Sequence, residues 1–362
     1  MQREMISKNQ MICIVILFLF GSNAVMGGSW RVGQDAWIAI LVALAAGTVL
    51  ALMYARIIRL FPQKNIYEIA EYVFGKIIGK ILIFLMVWYA VHLSAILLRL
   101  LSEFTKIAML QETPHWAMIL LIICVTGYIG VSGIKTLGRW LFIVLAFYLL
   151  SVLDISVMSL SEFKVANLFP IMEHNIADIG SASLKIFTTA FGSTVLLLAL
   201  TDSLEKKENP YKVYLYGIFF GTVILLFVFV TNVMFLGVPM LEKSYFPSYT
   251  MARLVNVGDF LSRVESIIYY NFLLTGIAKL AICLLAAIKG VETMFKTRKR
   301  GWILLALSVV VLVAGMKGFA NANEVFSFVD IFQYYALLFQ ILIPFIVWIG
   351  AEIKVARQRG IE

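Results

Sequence analysis

The stretch FGSNAVMGG, residues 20–28, interrupts the first long apolar run of the chain. Glycine is a poor helix former, and hydrocarbon cannot satisfy the donors and acceptors of asparagine. One interpretation is a face of small residues that packs against another membrane helix. The other is a locally unwound helix whose exposed backbone groups bind a small polar ligand. The stretch on its own favours neither interpretation.

The composition is that of a polytopic membrane protein. Of the 362 residues, 62% are hydrophobic and 14% are charged, whereas soluble domains are about 45–50% apolar and about 25% charged. Apolar runs of about 20 residues, enough to cross a bilayer core, recur along the chain. The first run lacks a small-x-small cleavage site, so we expect it to remain as a span. Cys13, Cys124 and Cys283 lie in apolar runs without partner spacing, which predicts neither a disulfide nor a metal site.

Ten spans are predicted, and the loops between them are too short to form a second domain. The spans are 11–28, 37–58, 81–101, 116–131, 140–158, 186–204, 213–235, 266–287, 302–316 and 331–351. Both termini and one set of alternate loops carry most of the 30 Lys and Arg residues, which predicts that both termini are cytoplasmic. The positive charge thus indicates topology and contact with anionic membrane lipid, not nucleic-acid binding. Residues 67–80 are amphipathic and are predicted to lie in the membrane plane.

A second interruption, AFGST at residues 190–194, lies in the sixth span. Two groups of five spans, each with a broken first member, are typical of inverted repeats, since five is odd. We therefore predict an all-α polytopic membrane protein with ten transmembrane helices in a five-plus-five inverted repeat, with helices one and six discontinuous. It forms a single transmembrane domain, 1–362, with repeats at about 11–158 and 180–351.

The two interruptions together favour ligand binding over helix packing. The positive end of a half-helix suits a carboxylate, and freed carbonyls suit an ammonium group. An amino acid carries both groups, so a small zwitterion is the predicted ligand.

Other polar side chains at membrane depth are candidates because burying them is costly. Lys279, near the middle of the eighth span, is predicted to point at carbonyls freed in the first span and to mimic the cation of a sodium-coupled carrier; snorkelling is the alternative. Asn271 and Thr275 share its helix face. Tyr89 could close a pocket over a small ligand, whereas a lone membrane histidine such as His92 is more often a packing residue.

Enzymatic function is not expected. The sequence has no phosphate-binding glycine loop, no HExxH motif and no nucleophile elbow, and it has only three histidines. We predict neither a catalytic residue, nor a cofactor, nor a metal site.

Six stretches occur along the chain in the order GQDAW (33–37), FPQKNIYEIAEYVFGKIIGK (61–80), ETP (112–114), GIKTLGR (133–139), NLFPIM (167–172) and FPSYTMARLVNVGDFLSRVES (246–266). Together they resemble the endospore germination permeases, the B subunits of spore germinant receptors within the amino acid–polyamine–organocation superfamily. Many relatives have a proline-bearing exit after the first-span glycine, whereas this chain has glycines at 27 and 28 followed by serine.

The resemblance implies a ligand site between the first, third, sixth and eighth spans. The candidate ligand-binding residues are Gly21, Ser22, Asn23, Ala24, Tyr89, His92, Phe191, Gly192, Ser193, Asn271 and Thr275. It also implies a nutrient-sensing receptor that works with an A subunit and a C-subunit lipoprotein in the spore inner membrane or bacterial plasma membrane. An active secondary amino-acid transporter, coupled to protons or sodium, is the alternative. Lys279 and the lack of an obvious midplane carboxylate favour sensing.

Overall fold

The computed structural model describes residues 4–21, 32–255, 264–297 and 299–359, and these ranges are mainly helical. Three predicted site residues, Ser22, Asn23 and Ala24, lie outside the described residues. The rest of the predicted site lies inside them.

Long helices connected by short loops build the molecule. The α-helices are α1 (Lys8–Phe20), α2 (Ala36–Leu60), α3 (Ile66–Ala108), α4 (His115–Val131), α5 (Ile134–Met158), α6 (Ile176–Ile186), α7 (Pro210–Leu236), α8 (Val238–Lys243), α9 (Pro247–Leu254), α10 (Glu265–Phe295), α11 (Arg300–Lys317), α12 (Ala322–Leu337) and α13 (Ile343–Arg359). The 3₁₀ segments are Gly33–Asp35, Leu160–Glu162, Val165–Leu168 and Gly192–Ser203, and π turns occupy Phe187–Phe191 and Leu338–Leu342.

The predicted order of spans is confirmed, but the number of full-length spans is not exact. Within the described residues, eight helical segments are long and apolar enough to cross a membrane. The first and fourth predicted spans correspond to the shorter apolar helices Lys8–Leu19 and His115–Val131. The first prediction extended to residue 28, but residues 22–31 lie outside the described part of the chain.

The sixth span is discontinuous, as predicted. Helix α6 passes into the π turn Phe187–Phe191 and then into the 3₁₀ segment Gly192–Ser203. Runs of 3₁₀-helix longer than three or four residues are uncommon, and π turns frequently occur at functional sites. A second π turn, Leu338–Leu342, separates α12 from α13 in the tenth span, and the sequence analysis did not predict it.

The amphipathic segment at 67–80 is helical but is bent within its length. Gly75 has φ +77°, so a short helix precedes the main part of α3. At Gly79 the chain turns back so closely that an added Cβ would lie 2.7 Å from the Glu71 Cα. Asn65 starts the short helix with a capping box, in which its side chain accepts from the Glu68 amide.

Three spans form the interior of the bundle. In the most apolar window, 89% of residues are buried in both the sixth span and α10, and 72% are buried in α3, against 17% in α11. Helix α10 packs along α3 and also contacts α1, α9 and the 3₁₀ segment of the sixth span. Polar groups on these spans therefore face protein and not lipid.

Replacing Gly47 of α2 with alanine tests the close packing of the sixth span. An added Cβ would lie 2.6–2.9 Å from Phe191 side-chain atoms, so Gly47→Ala should destabilise the protein by about 1–3 kcal/mol through overpacking. The matched control is Gly180→Ala in α6, where an added Cβ meets nothing within 4 Å. The control should be neutral or stabilising by up to about 1 kcal/mol. Thermal unfolding in detergent measures the stability of both variants. Equal effects would contradict the close contact between Gly47 and Phe191.

Candidate functional site

The end of α1 meets the middle of α10 at Gly21. The Thr275 hydroxyl donates to the Asn271 carbonyl at 2.8 Å and lies 3.3 Å from the Gly21 carbonyl. An added Cβ on Gly21 would lie 2.9 Å from the Thr275 carbonyl oxygen and 3.5 Å from the Lys279 Cβ. Glycine is therefore needed here so that the α1 backbone can approach α10.

Lys279 places an ammonium group between the first, sixth and eighth spans. Its Nζ donates to the Thr189 carbonyl at 3.2 Å and lies 5.1 Å from the centroid of the Phe18 ring. The residue is only 1% exposed, so it does not snorkel to the surface. The predicted partners were carbonyls freed in the first span, and those of residues 22–28 lie outside the described part of the chain; inside it, Nζ reaches the sixth span.

The π turn explains why the Thr189 carbonyl can accept this bond. In a π turn the amide bonds to the carbonyl five residues back, which disturbs the regular pattern of the helix. A carbonyl left without its usual partner in a membrane needs another donor. Lys279 supplies one such donor from α10, and the Ser193 hydroxyl, 3.1 Å away in the same span, supplies another.

Gln340 is a functional candidate that the sequence analysis missed. Its Nε2 donates to the Tyr89 hydroxyl and to the Thr188 carbonyl, both at 2.7 Å, and its backbone carbonyl accepts from the Tyr54 hydroxyl at 2.6 Å. A Cβ on Gly192 would collide with the Gln340 Oε1, so this glycine makes room for the amide. A buried amide in an apolar run of a membrane span was the signal that could have found it.

Asn271 has a buried amide that lacks partners. The residue is 1% exposed, and neither Nδ2 nor Oδ1 has a hydrogen-bond partner among the described residues. It borders a cavity of about 30 Å³ between α5, α7, α9 and α10. Because an unsatisfied buried amide is costly, such a group is expected to bind a water molecule or a ligand.

Of the other predicted residues, Ser193 reaches the same carbonyl as Lys279, whereas Phe191 and His92 do not. The Ser193 hydroxyl lies 2.8 Å from the Ala190 carbonyl and 3.1 Å from the Thr189 carbonyl, and Phe191 packs against Gly47 of α2. His92 is half-buried, with Nδ1 3.2 Å from the Tyr335 hydroxyl and its ring stacked on Trp88. His92 is thus a packing residue of an aromatic cluster that involves α12.

Tyr89 is buried beside Gln340. Its ring stacks on Phe339 with centroids 5.1 Å apart, and its hydroxyl accepts from Gln340. Through Gln340 it is connected to the π turn of the sixth span. Gly21, Thr275 and Lys279 form one contact centre, and Tyr89, Gly192 and Gln340 form a second, joined to the first by the neighbouring Thr188 and Thr189 carbonyls.

A helical membrane bundle with a broken sixth span and an interior built from α3, α10 and the sixth span has the fold of inverted-repeat transporters. The transporter MhsT, solved in complex with L-phenylalanine, aligns with a TM-score of 0.71 at 13% identity, covering 96% of this chain and 89% of MhsT. The nucleobase-cation-symport-1 family transporter Mhp1 aligns with a TM-score of 0.68 at 15% identity, covering 92% of this chain and 76% of Mhp1. The predicted all-α inverted-repeat fold is thereby confirmed.

Within that class, the chain belongs to the spore germination protein family, whose model matches residues 5–325. Spore germination protein KB of Bacillus subtilis (strain 168) is 24% identical over 365 residues, covering 99% of this chain and 97% of that protein. Spore germination protein YndE of the same organism is also 24% identical, covering 84% of this chain and 83% of YndE. The resemblance to the endospore germination permeases is confirmed, and the chain is an integral membrane protein.

A double-mutant cycle tests the Gln340 centre. Tyr89→Phe and Gln340→Leu each remove one side of the same hydrogen bond, so their effects on unfolding free energy should be non-additive. The coupling should be about 0.6–1.7 kcal/mol, as found for hydrogen bonds between membrane helices. Thermal or denaturant unfolding in detergent measures it.

The matched control is Gln333→Leu in the same span. The Gln333 amide donates to the Asp330 carbonyl of its own helix at 3.0 Å. Paired with Tyr89→Phe, it should give additive effects. Additive effects in the Gln340 cycle as well would mean that the Tyr89–Gln340 bond does not contribute to stability.

Proposed function

We propose that this chain is the nutrient-sensing subunit of a spore germinant receptor and binds a small zwitterion, such as an amino acid, at the membrane midplane. The contact that carries the proposal is Lys279 Nζ at 3.2 Å from the Thr189 carbonyl. A coupled carrier would present such a freed carbonyl to its driving cation. Here the ammonium group of the protein takes that carbonyl, so ligand binding needs no external cation.

The ligand site that we propose lies between α1, α3, the sixth span and α10. The residues assigned to it are Gly21, Ser22, Asn23, Ala24, Tyr89, Gly192, Ser193, Asn271 and Thr275. Thr275 supports this assignment, since its hydroxyl lies 3.3 Å from the Gly21 carbonyl where α1 meets α10. The Asn271 amide, one helical turn earlier on α10, is 99% buried, has no partner among the described residues and borders the small cavity between α5, α7, α9 and α10. An amide offers a donor and an acceptor, which suits a ligand carrying both a carboxylate and an ammonium group. The positions of Phe191 and His92 argue against direct contact with the ligand, whereas Ser193 shares the Thr189 carbonyl with Lys279.

Binding acts by selecting one arrangement of the two repeats, at about 11–158 and 180–351. A ligand shifts such an equilibrium only by its difference in affinity for the two states. In our proposal the shift is passed to an A subunit and a C-subunit lipoprotein in the spore inner membrane, with both termini of the chain on the cytoplasmic side. The function is not enzymatic, in keeping with the germination family and with the transporters that share the fold.

The second candidate is an active secondary amino-acid transporter driven by protons or sodium. The observation that favours it is the fold, which is shared with two transporters, one of them solved in complex with L-phenylalanine. Lys279 weighs against the sodium-driven form, because its ammonium group occupies the place of an exchanging metal cation.

Lys279→Met tests the sensing site. The substitution keeps the length of the side chain but leaves the Thr189 carbonyl without its charged donor, so amino-acid binding should weaken about tenfold or more. Purified protein is screened with the twenty standard amino acids by thermal shift, and those that stabilise it are titrated by calorimetry. Lys317→Met, an exposed position at the end of α11, is the control and should bind normally. Unchanged binding by Lys279→Met would refute the assigned role.

Uptake into proteoliposomes separates the two candidates. A sensor should show no saturable accumulation of a radiolabelled amino acid that stabilises the protein, under an imposed proton or sodium gradient. The transporter Mhp1 or MhsT, reconstituted in parallel with its own substrate, verifies the vesicles. Saturable, gradient-driven uptake by this chain would establish the transporter instead.

A further inference from the structure

Two lysines contact the ring of Tyr72 where α2 ends, α3 begins and α13 ends. Lys64 Nζ lies 4.0 Å from the ring centroid, and Lys354 Nζ lies 5.5 Å from it. The Tyr72 hydroxyl accepts from Gln358 Nε2 at 2.8 Å, which holds α13 against the same ring. We call Lys64, Tyr72, Lys296 and Lys354 the Tyr72 cluster.

An open surface cavity of about 500 Å³ lies beside the Tyr72 cluster. The lining residues are Pro62, Gln63, Lys64, Glu68, Glu71, Tyr72 and Lys296. The cavity therefore joins the α2–α3 connection to the residue that follows α10.

The carboxylates of the cavity are already engaged. Glu68 Oε2 accepts from the Asn65 amide at 3.2 Å in the capping box, and Glu71 Oε1 lies 3.5 Å from Lys296 Nζ. Within the described part of the chain, neither Lys64 nor Lys354 has a carboxylate within ion-pair distance. Two ammonium groups on one aromatic ring, without a carboxylate on either, favour an anionic ligand.

An apolar surface begins immediately beside this charge. Beyond the bend at Gly75, Ile77 is 81% exposed, Ile81 55% and Phe84 57%. In a membrane protein such a helix face contacts acyl chains. The cluster consequently lies at the level of the lipid headgroups, where basic residues attract anionic lipid.

We propose that the Tyr72 cluster binds the phosphodiester headgroup of an anionic phospholipid, whose acyl chains lie along Ile77, Ile81 and Phe84. The continuity of charge with exposed apolar surface selects a lipid over a free anion, which would gain nothing from the apolar face. Because the cluster includes residues of the α2–α3 connection, the end of α10 and α13, the bound lipid holds these elements together. The site is independent of the amino-acid site proposed above.

Native mass spectrometry of the full chain, titrated with phosphatidylglycerol or phosphatidylcholine, tests the proposal. The wild-type protein should bind one phosphatidylglycerol molecule more tightly than any phosphatidylcholine. The double variant Lys64→Gln/Lys354→Gln should lose this preference, with an affinity for phosphatidylglycerol lower by about tenfold or more. Lys64→Arg/Lys354→Arg keeps both charges and should retain the preference.

The matched control removes the same charge elsewhere on the same side. Lys206→Gln/Lys212→Gln changes two exposed lysines near the start of α7 and should leave the tight lipid in place. Equal loss in both double variants would overturn the site, because it would show a general effect of net charge. Inorganic phosphate that displaces phosphatidylglycerol at millimolar concentration would also overturn it, by indicating a free-anion site. Tyr72→Leu keeps every charge and should lower the affinity for phosphatidylglycerol less than Lys64→Gln/Lys354→Gln does. Unchanged tight binding of phosphatidylglycerol by Lys64→Gln/Lys354→Gln would refute the proposal outright.

Discussion

Every polar backbone group inside a membrane protein must find a partner within the protein, and the sixth span meets this requirement in an unusual way. Its π turn disturbs the helical hydrogen-bond pattern around Thr188 and Thr189. Other spans satisfy the two carbonyls, Gln340 from the tenth span and Lys279 from α10. The rest of the centre depends on this arrangement, because these two side chains fix how three spans meet.

Two glycines let the spans approach closely enough for these contacts. Gly21 brings α1 against Thr275, and Gly192 leaves room for the Gln340 amide. Both glycines lie in the sequence interruptions that first indicated broken spans. Gly21 and Gly192 therefore allow close packing and also place polar groups next to each other. Helix packing and ligand binding, the two initial interpretations of the first stretch, are thus compatible. Packing of small residues is what allows polar groups to be placed at the midplane.

Contacts at the two ends of the bundle hold the N-terminal part of the chain against later segments. At one end, the Ile6 amide, ahead of the first repeat, donates to the Ser203 carbonyl of the second repeat at 2.8 Å, and Lys289 pairs with Asp202 inside the second repeat. At the other end, the buried Asp35 accepts from the amides of Met172 and His174 at 2.7 and 3.0 Å. In our proposal, a change in the relative position of the repeats alters the Ile6–Ser203 contact, and ligand binding at the centre is passed in this way to the surface of the protein.

The sequence by itself determined the class of protein, the order of spans, the break in the sixth span and the polar face of α10. These features are local, since apolar length, Gly–Ser interruptions and the helical repeat that aligns Asn271, Thr275 and Lys279 can all be read along one segment. Tertiary structure alone decided which helix each face meets. It placed Lys279 on the sixth span, Phe191 on α2 and His92 in an aromatic cluster. Tertiary structure also identified Gln340, because the π turn that contains it has neither glycine nor serine to mark it in the sequence. Helical periodicity gives the direction of a side chain, and only packing gives its partner.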